Sequence, residues 1–296
     1  MIKENYSGKI NGLNKNFYFI AGFQRSGSTL LSSILNQNPR FYSGPSSPVI
    51  ETIIKLENIF SNDELFLAYP KPQQEKEIIA SILPQFYSDK QEPVIFDKNR
   101  SWSFYMNRIS EYFGIQPKVI CPVRDTVNIL TSFISMIRRN SYEINGRINF
   151  IDEVLIKNNI LLTDNNRCEF IASSNGVLGK SVEGLKKALI EGYGNSIHLV
   201  NYLDLVNTPK KTLEKIYNFL GEELFDHDLN KLNNVNREND AQIYGLADMH
   251  YIRPKLESVS KNPKDVLSEE ILKKYKNTEF WKIQNSDFKN IVGSYF

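Results

Sequence analysis

Gly22 and Gly27 stand five positions apart, with Ser28 and Thr29 directly after the second glycine. This is the spacing of the phosphate-binding pattern GxxxxGK[ST], with serine where the lysine belongs. Glycines here let backbone N–H groups approach an anion closely, and a helix N-terminus behind them favours negative charge. The lysine of that pattern reaches the β- and γ-phosphates of a nucleotide. Its replacement argues against ordinary ATP or GTP hydrolysis. Arg25, inside the loop, supplies a different cation, planar and able to pair with two oxygens.

A second group is Val123-Arg124-Asp125, with Ser132 eight residues beyond the arginine. Arg124 follows an apolar run and falls where the carboxyl end of a strand should be, the side on which open α/β sheets bind ligands. Ser132 sits about two turns into the helix that follows. An arginine and a hydroxyl together suit a terminal phosphate.

The elements that must position these groups are readable around them. Phe17 to Ala21 is apolar throughout, as a buried parallel strand should be. It runs into the glycine loop and then a helix carrying Leu30, Leu31, Ile34 and Leu35, which stops before Pro39. Helical patterns follow over about Pro48 to Phe60 and Gln74 to Tyr87. The short strand Val94 to Phe96 leads to Asp97 and Lys98, then a helix around Trp102 to Phe113. Lys118 to Val123 is a further strand, followed by a helix from about Val127 to Arg138. Alternation of this kind predicts an α/β fold, a phosphate-loop domain whose central parallel sheet is flanked by helices.

Residues 139–180 are rich in Asn, Ser and Gly and read as an insertion or lid, with one helix at Phe150 to Leu161. Order returns with a helix near Val182 to Tyr193, a strand at Ile197 to Asn201, and a helix from Pro209 to Leu220. Thr208 is placed to cap that last helix and Gly221 to end it. Residues 226–296 form a polar extension, with Ser268 capping a helix through Ile271 and Leu272, and Phe280-Trp281 docking on the core. No repeat or low-complexity tract divides the chain, so residues 1–296 read as a single domain.

Composition is consistent with this. The 296 residues are 41% hydrophobic, and 36 Lys and Arg balance 34 Asp and Glu for a formal net charge of +2. That is enough apolar content for a real core, and no global field points to nucleic acid. Cys121 and Cys168 lack metal-ligand spacing, and Cys121 reads as a buried structural thiol. Met1 to Leu13 carries no apolar core of signal-peptide length, and no membrane span is evident. A cytoplasmic location is the expectation.

Together the loop and the arginine–serine pair resemble the sulfotransferase family, more closely its tyrosylprotein-type branch than its small-molecule cytosolic branch. The resemblance covers Phe17 to Leu56, Val94 to Ile137 and Leu199 to Gly221, with an echo near Arg253. The 5′-phosphosulfate loop of that branch reads PRSGTT, and here it is Gln24-Arg25-Ser26-Gly27-Ser28-Thr29. Its 3′-phosphate motif is matched by Arg124 and Ser132, and a 3′-phosphate is what separates this donor from ATP. Lys98 matches the lysine that contacts the leaving phosphate. Tyr202 is similar to a tyrosine at a strand followed by a Pro-started helix, and Arg253, before Pro254, to a late basic residue on the phosphates.

The resemblance implies 3′-phosphoadenosine 5′-phosphosulfate (PAPS) as donor and 3′-phosphoadenosine 5′-phosphate (PAP) as product, with no metal. It implies an acceptor hydroxyl on a small molecule, a carbohydrate, a lipid head group or a protein tyrosine. Lys98 and Arg25 would then meet the charge on the departing oxygen. The branch carries its catalytic Glu directly after a Gly, and here Pro45 follows Gly44. Glu51, a turn or two away, is the substitute candidate for general base. His198, His227 and His250 do not fall at the position of the cytosolic branch's histidine. Two rivals remain at this point. One is a nucleotide kinase or ATPase, for which Val94 to Asp97 imitates a magnesium-binding strand. The other is a non-catalytic nucleotide-binding relative that lost its base at Pro45.

Overall fold

The computed structural model describes residues 14–233 and 238–282. The polar N-terminal stretch 1–13 and the last part of the C-terminal extension, 283–296, lie outside the described residues. The chain begins β1 (Asn16–Ile20), α1 (Ser28–Leu35), β2 (Phe41–Ser46), α2 (Val49–Asn62), α3 (Glu64–Ala68) and α4 (Pro72–Phe86). It continues through β3 (Val94–Lys98), α5 (Met106–Phe113), β4 (Val119–Val123) and α6 (Thr126–Arg139). A small hairpin, β5 (Glu143–Ile144) and β6 (Arg147–Ile148), precedes α7 (Phe150–Lys157), α8 (Asp164–Ala172) and α9 (Val177–Ile190). Then come β7 (Ile197–Asn201), α10 (Tyr202–Asn207), α11 (Pro209–Leu220), α12 (Asp240–Tyr244) and α13 (Glu269–Tyr275).

Five strands form one parallel sheet in the order β2-β3-β1-β4-β7. The chain leaves central β1 for the far edge, returns through β3, and crosses to β4 on the other side. The order therefore reverses beside β1, which is the switch point where such sheets open a crevice. Both faces are covered. Phe17 and Phe19 point to a core shared with α2, α4 and α5, while Tyr18 and Ile20 point to one shared with α1 and α11. This two-sided burial is why Phe17 to Ile20 of β1, and β4, are apolar rather than alternating. Phe19 meets Trp102 with ring centroids 4.7 Å apart.

Asp97 is the one acid inside β3, and its carboxyl faces this core. Ser47 Oγ donates to its Oδ2 at 2.5 Å, Tyr87 OH to Oδ2 at 3.0 Å, and Trp102 Nε1 to Oδ1 at 2.6 Å. Burial raises its pKa against these three donors. Both oxygens are engaged, so the residue that imitates a magnesium-binding strand end is a structural anchor. Asp97→Ala leaves three buried donors without an acceptor. It is expected to cost about 3 kcal/mol of unfolding free energy, read from the midpoint of a urea titration.

Several expectations change. β2 has no apolar run to announce it, because it is an edge strand with a register break between Ser43 and Ser46. The helix expected from Trp102 is a 3-10 turn, Arg100–Ser103, and α5 begins only at Met106. The Phe150 helix ends at Lys157, and α9 starts at Val177, earlier than its apolar face suggested. Residues 139–180 hold the hairpin, α7 and α8, and α6 packs against α8. Thr208 does not cap α11 with its side chain; its hydroxyl donates back to Asp204 O at 3.1 Å. Gly221 does end that helix, at φ 77°, and Ser268 does cap α13 by accepting from Ile271 N. Trp281 docks edge-on against Phe23, with centroids 4.8 Å apart. Cys121 and Cys168 are buried, and burial pushes both thiols up to about 12. Among the described residues, no helix is long and apolar enough to cross a membrane.

Candidate active site

A cleft of ≈ 1130 Å³ opens over the carboxyl ends of β1, β3 and β4. Its floor is the loop from Gly22 to Thr29. The β1–β4 register stops at Ile20↔Ile120, just before Pro122, whose ring crowds residue 22. A Cβ on Gly22 would lie 2.6 Å from Pro122 Cδ and 2.8 Å from its carbonyl oxygen. Glycine is what lets the loop leave the sheet at this point. Arg25 turns in the left-handed region at φ 59°, and Gly27 at φ 89°. A Cβ on Gly27 would also lie 2.9 Å from the Tyr202 ring.

Gly27 stands at the N-cap of α1 with no side-chain cap. The first-turn amides of that helix are thus left to a ligand, the arrangement that favours a bound anion. Ser28 and Thr29 line the cleft. Ser26 does not, although the loop pattern grouped it with them. It is fully buried, and its hydroxyl is shared between the carbonyls of Phe23 and Pro122, tying the loop to β4.

The two sequence groups meet. Arg25 Nε donates to Ser132 Oγ at 3.1 Å and its Nη1 donates to Met249 O. Arg124 Nη1 donates to Arg25 O at 3.1 Å, its Nη2 to Ser260 Oγ at 2.8 Å, and its guanidinium lies over the Tyr202 ring at 4.4 Å. Tyr202 is the first residue of α10 rather than part of a strand, and Asn201 caps that short helix. Burial and the like charges of Arg124 and Arg139 push the Arg25 guanidinium down to about 10. Three arginines converging on one wall make a place where an anion relieves repulsion.

Lys98, last in β3, is level with Ile20 of β1 and 5% exposed. Burial lowers its pKa, opposed by the charges of Glu238 and Asp240. Its Nζ lies 3.9 Å from Glu238 Oε1, beyond hydrogen-bond length. Glu51, in the first turn of α2, is exposed on the cleft rim and accepts from Ser101 Oγ at 2.7 Å. Arg253 also lines the cleft, half-exposed and paired with Glu257.

The structure adds groups that the sequence reading passed over. On α6, Asn128, Thr131, Ser132, Ser135 and Arg139 all face the cleft. This polar stripe at helical spacing was a legible signal of which only Ser132 was used. Ser135 Oγ and Gln24 Nε2 are buried without a partner among the described residues and line the cleft. From the segment after α11 come His250, Lys255 and Lys261, which line the cleft, with Glu238 beside Lys98, Asp240 on His250 and Ser260 on Arg124, none marked by periodicity. Unpartnered polar atoms, an uncapped helix start and clustered cations suit a polyanionic nucleotide.

The chain is similar to several known proteins. The model of the family described as the sulfotransferase family matches residues 18–227. Mouse sulfotransferase SULT7A1, crystallised with PAP, is similar at 12% identity and TM-score 0.50, covering 97% of this chain and 90% of its own. The sulfotransferase domain of the Synechococcus PCC 7002 olefin synthase is similar at 17% identity and TM-score 0.47, over 99% of this chain and 98% of that one. A retinol dehydratase in complex with retinol and PAP is similar at 16% identity and TM-score 0.45, over 89% and 82%. Among curated proteins, no sequence matches significantly.

Proposed function

The chain belongs to the sulfotransferase family, and from that premise we propose how its cleft is used. It is an enzyme that transfers a sulfuryl group from PAPS to an acceptor hydroxyl and releases PAP. The observation that carries the residue assignment is the convergence of Arg25, Arg124 and Arg139 on one wall, above the uncapped start of α1. The amides of Gly27 to Thr29 and Arg25 hold the 5′-phosphosulfate. Arg124, Ser132 and the Tyr202 ring beneath the guanidinium hold the 3′-phosphate side. Arg253 reaches the phosphates from the rim.

Displacement at sulfur is in line, and a loose transition state leaves the protein mainly the work of positioning and charge stabilisation. Lys98 and Arg25 meet the charge that grows on the departing oxygen. No divalent ion is required in this reading, and the kinase alternative has lost its acid, since Asp97 is turned into the core. Within the family, the lettering of Gln24 to Thr29 together with Lys98 supports the tyrosylprotein-type branch. A phenolic hydroxyl is therefore the acceptor class to try first.

Calorimetry with PAP and with ADP, in the absence of magnesium, tests the assignment. PAP is expected to bind at least about tenfold more tightly, the worth of one charge-assisted hydrogen bond. Equal affinities would remove the 3′-phosphate site from Arg124 and Ser132.

A further inference from the structure

The end of β2 carries Pro45 rather than a carboxylate, yet acidic groups reach the same place from another part of the chain. Glu238 Oε1 accepts from Ser46 N at 3.0 Å and stands 3.9 Å from Lys98 Nζ. Its Oε2 is 3.4 Å from His250 Nδ1. Asp240, the first residue of α12, holds His250 twice, accepting from its backbone N at 2.7 Å and facing its ring Nδ1 at 2.6 Å. Tyr244 packs edge-on against the imidazole at 5.8 Å. The ring lines the cleft and is 19% exposed.

One carboxylate gripping both the main chain and the ring fixes the imidazole's orientation and its tautomer. With the Nδ1 proton directed to Asp240, Nε2 is left with a lone pair. Burial alone would raise the Asp240 carboxyl, but the hydrogen bonds from His250 and the charges of His250 and Arg25 outweigh it and hold it low. Asp240 thus stays ionised beside the ring. The charged and titratable groups around His250 are Asp240, Glu238 and Tyr244, with Lys98, Arg25 and Arg100 behind them.

We propose that His250 is the general base for the acceptor hydroxyl, with Asp240 as its positioning residue; the assignment rests on the sulfuryl-transfer reading above. The acceptor O–H bond breaks as its oxygen bonds to sulfur, and the proton passes to His250 Nε2. The bond from sulfur to the nucleotide's bridging oxygen breaks, and its electron pair leaves with PAP. The imidazolium that results is balanced by Asp240 and Glu238. A base paired with a buried carboxylate is the logic of a His–Asp dyad. Glu238, Asp240 and His250 offer donor atoms within 4.8 Å of one another, compact enough for a metal. Here Asp240 already accepts the His250 backbone N–H and faces its ring Nδ1, and the ammonium of Lys98 supplies positive charge beside Glu238.

The test joins nitrogen-15 NMR of the His250 ring with sulfuryl transfer from PAPS to a series of phenols, from 4-nitrophenol to unsubstituted phenol. Wild type, His250→Gln and Asp240→Asn are compared, with PAP calorimetry as the control on folding. The wild-type ring is expected to carry its proton on Nδ1, and Asp240→Asn to disturb that tautomer. His250→Gln should slow phenol about a hundredfold and slow the more acidic 4-nitrophenol far less. PAP affinity should stay within threefold. A proton on Nε2 in the wild type, an unchanged dependence on phenol acidity in His250→Gln, or activity lost in EDTA and restored by zinc would each overturn the dyad. A wild type that binds no PAP would instead sink the sulfotransferase reading, and the tautomer measurement stands apart from it.

Discussion

Lys98→Ala is expected to lower kcat for sulfuryl transfer a hundred- to a thousand-fold, about 3–4 kcal/mol of transition-state stabilisation. PAP affinity should change only a few-fold. The expectation follows from where β3 ends. Five strand residues pair with β1 until Lys98 is level with Ile20, so its ammonium reaches the cleft from a rigid base. It is 5% exposed, and its nearest carboxylate among the described residues, Glu238, stands at 3.9 Å. A cation in so little water acts strongly on charge that develops beside it, and needs no reorganisation when that charge appears. In the proposed ground state the same charge is spread over the phosphosulfate and shared with Arg25 and the α1 amides, so binding is expected to depend on Lys98 less than turnover does. Single-turnover rates and PAP calorimetry on the same preparation separate the two effects. A rate within threefold of wild type would remove Lys98 from the chemistry. A parallel loss of PAP affinity would make it a binding residue instead.

The sheet and the glycine loop were legible because burial on two faces leaves a plain mark: Phe17 to Ile20 and Val119 to Val123 are apolar without a break. The phosphate loop was legible because glycine is demanded twice, by the Pro122 ring against residue 22 and by the left-handed turn at residue 27. β2 was not, since an edge strand with a break before Ser46 has neither an apolar run nor alternation. α8 was missed for a related reason. Its residues, DNNRCEFIA, form no apolar stripe, and it is held by the Thr163 cap and by Arg167, which clasps both oxygens of buried Asp152 at 2.7 and 2.8 Å. The site shows the same division. Arg25 and Gly27, set by the local geometry of the glycine loop, could be picked out from their neighbours in sequence, whereas Lys98 was marked by the family resemblance. Asp240, at the start of α12, meets His250, and Ser260 meets Arg124, through tertiary contacts alone. A loop pattern records which residues are small, not which way each hydroxyl turns, so it could not show that the Ser26 hydroxyl faces Phe23 O and Pro122 O.

Arg124→Ala should weaken PAP binding about a hundredfold, roughly 3 kcal/mol, and leave ADP within threefold. Arg124 is 8% exposed and already placed, its guanidinium stacked over Tyr202 at 4.4 Å and tied by hydrogen bonds to Arg25 O and Ser260 Oγ. A fork held in advance loses little side-chain entropy on meeting a phosphate, so most of the charge-assisted hydrogen bonding is retained as affinity. Alanine removes that fork, the stacking partner of Tyr202, and a carbonyl contact that steadies the strained turn at Arg25. The last loss would act on any nucleotide that uses the loop, which is why ADP is the necessary control. If PAP and ADP weaken together, Arg124 serves the loop's shape. If PAP alone weakens, it reads the 3′-phosphate. Arg124→Lys sharpens the distinction, since an ammonium keeps the charge but neither the fork nor the flat face over Tyr202. It should recover only part of the PAP affinity, and full recovery would mean that charge alone, not the placed guanidinium, selects the donor.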